Sequence, residues 1–182
     1  MYIVTEGVTE LNYFKALSLQ YACKDVSVQQ GTSSDPLCLA WEAITRNKEM
    51  VADHQVWIVL DKEIASKDRT RNRRLQKALR LCRKHNIHIA MSEPCFESWL
   101  VSHLEPMKDY RINQSSKHFG KILTKKLNYP YHKNSYSTDS FMDEVAISNA
   151  IKSPAGGMGL SRLVTCLLNQ VDSSKSWNSL IA

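Results

Sequence analysis

Over roughly the first hundred positions, short apolar runs alternate with longer stretches whose apolar residues recur every three to four positions. Residues 2–5 (Tyr-Ile-Val-Thr) read as a buried strand. Thr9-Glu10-Leu11 opens a helical pattern, in which Leu11, Phe14, Leu17 and Tyr21 recur at helical spacing. Residues 26–29 (Val-Ser-Val-Gln) alternate like a second strand. After the loop at 31–36, Asp35-Pro36 predicts a helix start, with Leu37, Ala40, Trp41 and Ile44 as its apolar face. Residues 55–61 (Gln-Val-Trp-Ile-Val-Leu-Asp) give the strongest strand, an apolar run ending in an acid. A helix follows from about Thr70, with Leu75, Ala78, Leu79 and Cys82 on one face and Arg73, Lys77, Arg80 and Lys84 on the other. Residues 87–91 read as a fourth strand, and Ser92-Glu93-Pro94-Cys95-Phe96-Glu97 leads into a helix through Trp99, Leu100 and His103.

Strand and helix therefore alternate over residues 1–104, which predicts an α/β core with about four strands in a mainly parallel sheet flanked by helices. Residues 105–182 read as a helical C-terminal region packed on that core. It carries a tyrosine-rich loop near 128–140 and an amphipathic helix with Leu160, Leu163, Val164, Leu167 and Leu168. No internal repeat or strong boundary appears, so a single compact domain overall is expected from 182 residues.

Charge changes this picture at one place. Between residues 67 and 85 there are nine Lys and Arg residues and one acid, Asp68. Of the chain's 24 bases and 18 acids, that leaves fifteen bases against seventeen acids elsewhere, so one segment carries the whole basic excess. Such a face suits phosphate-backbone contact without sequence reading. A solvated face, or a docking face for an acidic partner, is the alternative. Five scattered cysteines without a Cys-x-x-Cys pair indicate neither a disulfide framework nor a zinc site. No apolar run approaches the roughly 20 residues that span a bilayer, and no signal-peptide pattern opens the chain. A cytoplasmic protein without membrane partners is expected.

The candidate chemistry lies in acids at strand ends. Glu6 follows the first strand directly, Asp61 ends the third, and Glu63 lies two residues further on. Ligands of open parallel sheets bind at the carboxyl ends of the strands. Carboxylates converging there repel one another unless a cation intervenes. A hard cation such as Mg²⁺ or Mn²⁺ prefers carboxylate oxygens and shares them with substrate phosphates. The alternative is that each acid simply ends a strand and faces water.

Three segments bear a closer likeness. Glu6-Gly7-x-Thr9-Glu10-x-x-Tyr13-Phe14, the apolar strand ending in Asp61-x-Glu63, and Ser92-Glu93-Pro94-Cys95-Phe96-Glu97-Ser98-Trp99-Leu100 stand in the order seen in RloB-like proteins. That family resembles the Toprim fold of topoisomerases, primases and overcoming-lysogenization-defect nucleases. The resemblance covers residues 2 to about 104 well and the rest weakly. It implies a Toprim-like metal site in which Glu6, Asp61 and Glu63 are catalytic and, with Glu97, hold Mg²⁺ or Mn²⁺, while Glu10 supports them from the first helix. Glu63 keeps the charge of the Asp usual at its position and reaches one methylene further. The resemblance also implies a nuclease effector in bacterial anti-phage defence, acting beside an ATPase of SMC-like or ABC-like character.

Other features are weaker. Cys95 and His103 invite a nucleophile–base reading, but no third orienting group is apparent. Gly156-Gly157-Met158-Gly159 lacks the Gly-Lys-Ser/Thr ending of a phosphate loop and reads as a connector. Tyr129, Tyr131 and Tyr136 suit either base stacking or packing of the C-terminal helices. The expected function is a Mg²⁺-dependent nuclease whose basic helix (Arg73, Lys77, Arg80, Lys84) grips DNA or RNA. A catalytically weak module that binds nucleic acid or an ATPase is the alternative, and a primase- or phosphatase-like phosphotransferase is a third.

Overall fold

The computed structural model describes residues 1–50, 54–62, 68–105, 114–153 and 159–171. Four strands, β1 (Tyr2–Thr5), β2 (Ser27–Gln30), β3 (Val56–Asp61) and β4 (His88–Ser92), form one sheet in the order β2-β1-β3-β4. Every pairing is parallel. Three crossover helices link them: α1 (Val8–Gln20), α2 (Pro36–Glu49) and α3 (Arg69–Lys84). The predicted sheet is thus present and wholly parallel. The second and fourth strands each sit one residue later than the pattern indicates, because pairing rather than apolarity sets their ends: Thr5 pairs with Gln30, and Asp61 with Ser92.

Alternation along the strands builds two cores. Ile3, Trp57, Val59 and Ala90 face α1, where Tyr13, Phe14 and Leu17 pack. Tyr2, Val4, Val56, Ile58 and Leu60 face the other way, against Leu39, Ala40, Ala43 and Ile44 of α2 and Leu75, Ala78 and Cys82 of α3. β1 and β3, covered on both sides, are apolar at nearly every position, as buried parallel strands are. Because α1 leaves β1 over one face and α2 approaches β3 over the other, a crevice opens between β1 and β3 at their carboxyl ends.

The helix termini follow local chemistry. The Asp35 carboxylate accepts from the amides of Leu37 and Cys38, both at 3.0 Å, and Pro36 occupies the first turn of α2. Asp68, the single acid of the basic segment, accepts from the amides of Thr70 and Arg71 at 2.8 and 3.1 Å and starts α3. Trp41 departs from the predicted apolar face of α2. The buried stripe runs through Leu39, Ala40, Ala43 and Ile44, and Trp41 turns away from it, 51% exposed.

After β4 come α4 (Phe96–Leu104), α5 (Ser116–Leu127), α6 (Glu144–Lys152) and α7 (Leu160–Leu168), with a 3-10 turn at Asp139–Phe141 before α6. Their apolar faces join the α1 side of the sheet: Trp99, Phe119, Ile147, Leu160 and Leu163 belong to one cluster with Ile3 and Phe14. Gly159, in the predicted connector, has φ +95°, and a Cβ there would come within 2.3 Å of the Ile89 carbonyl oxygen. It lets α7 start directly against the backbone of β4. Gly156 and Gly157 lie outside the described residues. No helix among the described residues is long and apolar enough to cross a membrane.

Candidate functional site

Glu6 stands one residue past β1, its amide donating to the Val59 carbonyl of β3 at 3.0 Å. Its carboxylate reaches across the crevice in two directions. One oxygen accepts from the Asp61 amide at 3.2 Å, and the other accepts from Nη2 of Arg71 at 2.6 Å. Arg71 also donates to the Ser34 carbonyl at 3.0 Å, so it spans the start of α3, the loop before α2 and the end of β1. Asp61 ends β3, 6% exposed, and accepts a short hydrogen bond from the hydroxyl of Ser92, its partner on β4.

Two further carboxylates come from helices. Glu10 lies in the first turn of α1 and folds back over Gly7, where an added Cβ would meet its Oε2 at 2.7 Å. Gly7 thus provides the space that lets Glu10 turn inward. Glu97 lies in the first turn of α4, 1% exposed. Lys133 Nζ stands 3.4 Å from its Oε1. The loop carrying Lys133 is tied to α1, because the Thr9 hydroxyl donates to the Lys133 carbonyl at 2.7 Å and the Tyr136 hydroxyl donates to the Thr9 carbonyl at 2.9 Å.

These acids sense one another. Burial pushes the Asp61 carboxyl well above the usual range, and the charges of Glu10, Glu6 and Glu97 push the same way against the pull of the Ser92 hydrogen bond. Burial raises Glu10 to about 7, with Glu97 and Glu6 adding to it and Lys133 opposing. Glu10 Oε2 and both carboxylate oxygens of Glu97 are buried without a hydrogen-bond partner. Buried charge of one sign with unmatched oxygens is what a cation relieves, so this donor set fits a hard divalent ion. Among the described residues, no three His, Cys, Asp or Glu side chains are grouped as a ready-made metal cage. Glu6 is turned toward Arg71.

Of the residues expected from sequence, Glu6, Glu10, Asp61 and Glu97 lie at the carboxyl end of the sheet within electrostatic reach of one another. Glu63 lies outside the described residues. Arg73, Lys77, Arg80 and Lys84 are all exposed on the outer face of α3, away from the crevice. Three contributors escaped the sequence reading. Arg71 falls on the same helical face as Leu75, Ala78 and Cys82, and a base leading a buried stripe was the available signal. Ser92 becomes recognisable only through its pairing with Asp61. Lys133 arrives from a distant loop and left no signal.

The remaining motif residues serve packing. Tyr13, Phe14, Phe96 and Trp99 are fully buried in one aromatic cluster, Tyr13 lying 5.1 Å from Phe14 and 5.5 Å from Phe96 between ring centroids. His103 has Nδ1 2.9 Å from the Trp99 carbonyl and Nε2 2.9 Å from the Tyr13 hydroxyl. A carbonyl only accepts, so Nδ1 carries the proton, and the neutral ring accepts from Tyr13 at Nε2. Burial lowers its pKa to about 4, in keeping with that neutral form. Cys95 and His103 flank the two ends of α4, burial pushes the Cys95 thiol up, and the nucleophile–base reading fails on both counts. Tyr136 is buried beside Phe141, their rings 5.9 Å apart, which is the packing role rather than a base-stacking one.

A family model described as RloB-like protein matches residues 1–155. No curated protein and no solved structure matches the chain.

Proposed function

The chain belongs to the RloB-like family, and from that premise we propose that it is a metal-dependent nuclease of Toprim type that hydrolyses phosphodiester bonds in DNA or RNA. The observation that carries this reading is the set of acids at the β1–β3 crevice, the buried Glu10, Asp61 and Glu97 beside the part-buried Glu6, with carboxylate oxygens of Glu10 and Glu97 that have no hydrogen-bond partner. Asp61, Glu97, Glu6 and Glu63 would hold Mg²⁺ or Mn²⁺. Bound there, the ion neutralises the shared charge and polarises a phosphoryl oxygen.

The chain's own groups do the rest. Ser92 orients the Asp61 carboxylate through its hydroxyl. Lys133, held by Thr9, faces Glu97 and balances part of its charge. Glu6 is the general acid/base, and its two oxygens are positioned by the Asp61 amide and by Arg71. The exposed bases of α3 hold the polymer backbone. In the cell the nuclease acts in the cytoplasm as an effector of anti-phage defence with an SMC-like or ABC-like ATPase. Co-purification with such an ATPase is the check on that partner.

The test compares wild type with Glu6→Ala and Asp61→Ala on single- and double-stranded DNA and RNA with Mg²⁺ or Mn²⁺. Each variant is expected to lose about 100-fold or more of the cleavage rate, the scale of removing a catalytic acid or base. Equal activity in all three proteins rejects the assignment.

A second reading has one observation in its favour. Glu6 is already satisfied by Arg71 and the Asp61 amide, as in a site that binds without turning over. The protein is then a catalytically weak module that binds nucleic acid or an ATPase. Calorimetric titration with Mg²⁺ separates the two: binding that disappears in Asp61→Ala supports the nuclease, and no carboxylate-dependent heat supports the module.

A further inference from the structure

We propose that the outer surface of α2 and α3 is a platform for single-stranded nucleic acid, on which Trp41 stacks a base while the exposed bases of α3 hold the phosphates. The proposal rests on the nucleic-acid reading above and adds to it the strand form and a residue that reads base faces.

Trp41 is the starting point. It is 51% exposed, although Leu39, Ala40, Ala43 and Ile44 on the same helix are buried to 2% or less. The core of α2 is therefore complete without it. Among the described residues, the large apolar side chains standing exposed are Leu19, Trp41 and Val145, and Trp41 alone of these offers an aromatic face.

Hydrogen bonds between the helices fix where that face lies. Arg74 donates to Asp35 at 2.7 Å and to the Cys38 sulfur at 3.8 Å, near the start of α2. Asn47 donates to the His85 carbonyl at 3.3 Å, near the end. The helices thus run side by side in the same direction, Cys38 level with Arg74 and Asn47 level with His85. Trp41, one turn past Cys38, comes level with Lys77 and Ala78. Ala78 is buried against the sheet and Lys77 is exposed, so the indole stands beside the row Arg73, Lys77, Arg80 and Lys84.

Acids are turned away from this surface. Glu42 accepts from the amide and hydroxyl of Thr32, both at 3.0 Å, and Glu49 pairs with Arg46 at 3.2 Å. Both also act electrostatically on Tyr2, on the β2 side of α2. Asp68 is occupied as the cap of α3. Asp35, at the start of α2, is paired with Arg74, so among the described residues the α3 side of α2 presents an aromatic face against an excess of basic charge.

That combination selects the strand form. In a duplex the base faces are covered by their neighbours, so an indole finds nothing to stack on. A single strand exposes them, and stacking with backbone cations is how proteins hold it without reading sequence. Cation-only contact would give the single strand no advantage, because the duplex carries the denser phosphate charge.

The experiment measures fluorescence anisotropy of labelled oligothymidylate and of a labelled duplex of the same length, in EDTA so that no cleavage intervenes. Wild type, Trp41→Ala and Trp41→Phe are compared. Trp41→Ala is expected to weaken single-strand binding about tenfold, the scale of removing one base–aromatic stack, and to leave duplex binding unchanged. Trp41→Phe is expected to retain most of the single-strand affinity. Unchanged single-strand affinity in Trp41→Ala overturns the proposal, because the indole then serves another purpose, such as binding a protein. Equal weakening on both nucleic acids also overturns it. So does a wild type that fails to bind the oligothymidylate, an outcome that leaves metal-dependent cleavage of duplex, and its loss in Glu6→Ala, standing as a separate result.

Discussion

Glu10 is protonated more readily in the folded chain than out of it, and that ties it to stability. Its pKa rises from the ordinary 4.5 to about 7 through burial. The folded state therefore holds a proton over that window that the unfolded state has released. The associated stability is fully present below 4.5 and is lost as pH rises through about 7. Asp61, also raised, acts in the same direction. His103, lowered from 6.5 to about 4, acts oppositely and loses stability as pH falls through that range. Glu10→Gln cannot lose the proton, so in metal-free buffer its stability relative to wild type should increase as pH rises from 4.5 to beyond 7. Urea unfolding at several pH values checks this, and a constant difference between the proteins would refute it. At this scale the sequence was informative about carboxylates and blind to their partners. Glu6 and Asp61 are legible because acids at the ends of apolar runs are conspicuous, and Glu10 and Glu97 are legible through the motifs that resemble RloB-like proteins. Ser92 and Lys133 are ordinary polar residues whose meaning comes from strand register and a long-range loop interaction.

Elements were legible where burial is two-sided or the helix has two unlike faces. β3 shows as an unbroken apolar run and α3 as a base-rich stripe opposite an apolar one. The buried face of α2 is turned from the predicted one, taking in Leu39 and Ala43 and leaving out Trp41, because apolarity alone does not rank Leu39 and Ala43 above Trp41. Asp35 shows how one side chain organises two elements. It caps α2 and receives Arg74 of α3 through both of its oxygens, which holds its carboxyl down to about 2. Asp35→Ala removes the cap and releases Arg74. It should destabilise the fold by about 1–2 kcal/mol, mostly the cap, since the ion pair is partly exposed and screened. Chemical denaturation measures this, and because Arg74 ties α3 to α2, the same variant should loosen the platform and weaken oligothymidylate binding in parallel.

At the scale of the whole molecule, charge and chemistry occupy separate regions joined by one helix. The outward side of α3 carries Arg73, Lys77, Arg80 and Lys84, and its inward side carries Arg71 to Glu6. Replacing the four outer bases by Gln should weaken binding of all nucleic acids and lower the slope of log affinity against log salt by about 0.7–0.9 for each phosphate no longer neutralised. Titrations at several salt concentrations read that slope, and an unchanged slope would place the polymer elsewhere. The sheet order has a consequence in time as well as in space. β1 precedes the other three strands of the sheet along the chain, yet it sits inside the sheet, with β2 on one side and β3 on the other. Its second neighbour, β3, is not complete until Asp61 has been made. Until then an apolar strand has an open edge, a state prone to mispairing. The crevice that gathers Glu6 and Asp61 is therefore absent until β3 has been made and paired, so the two acids are not brought together before the central sheet has closed.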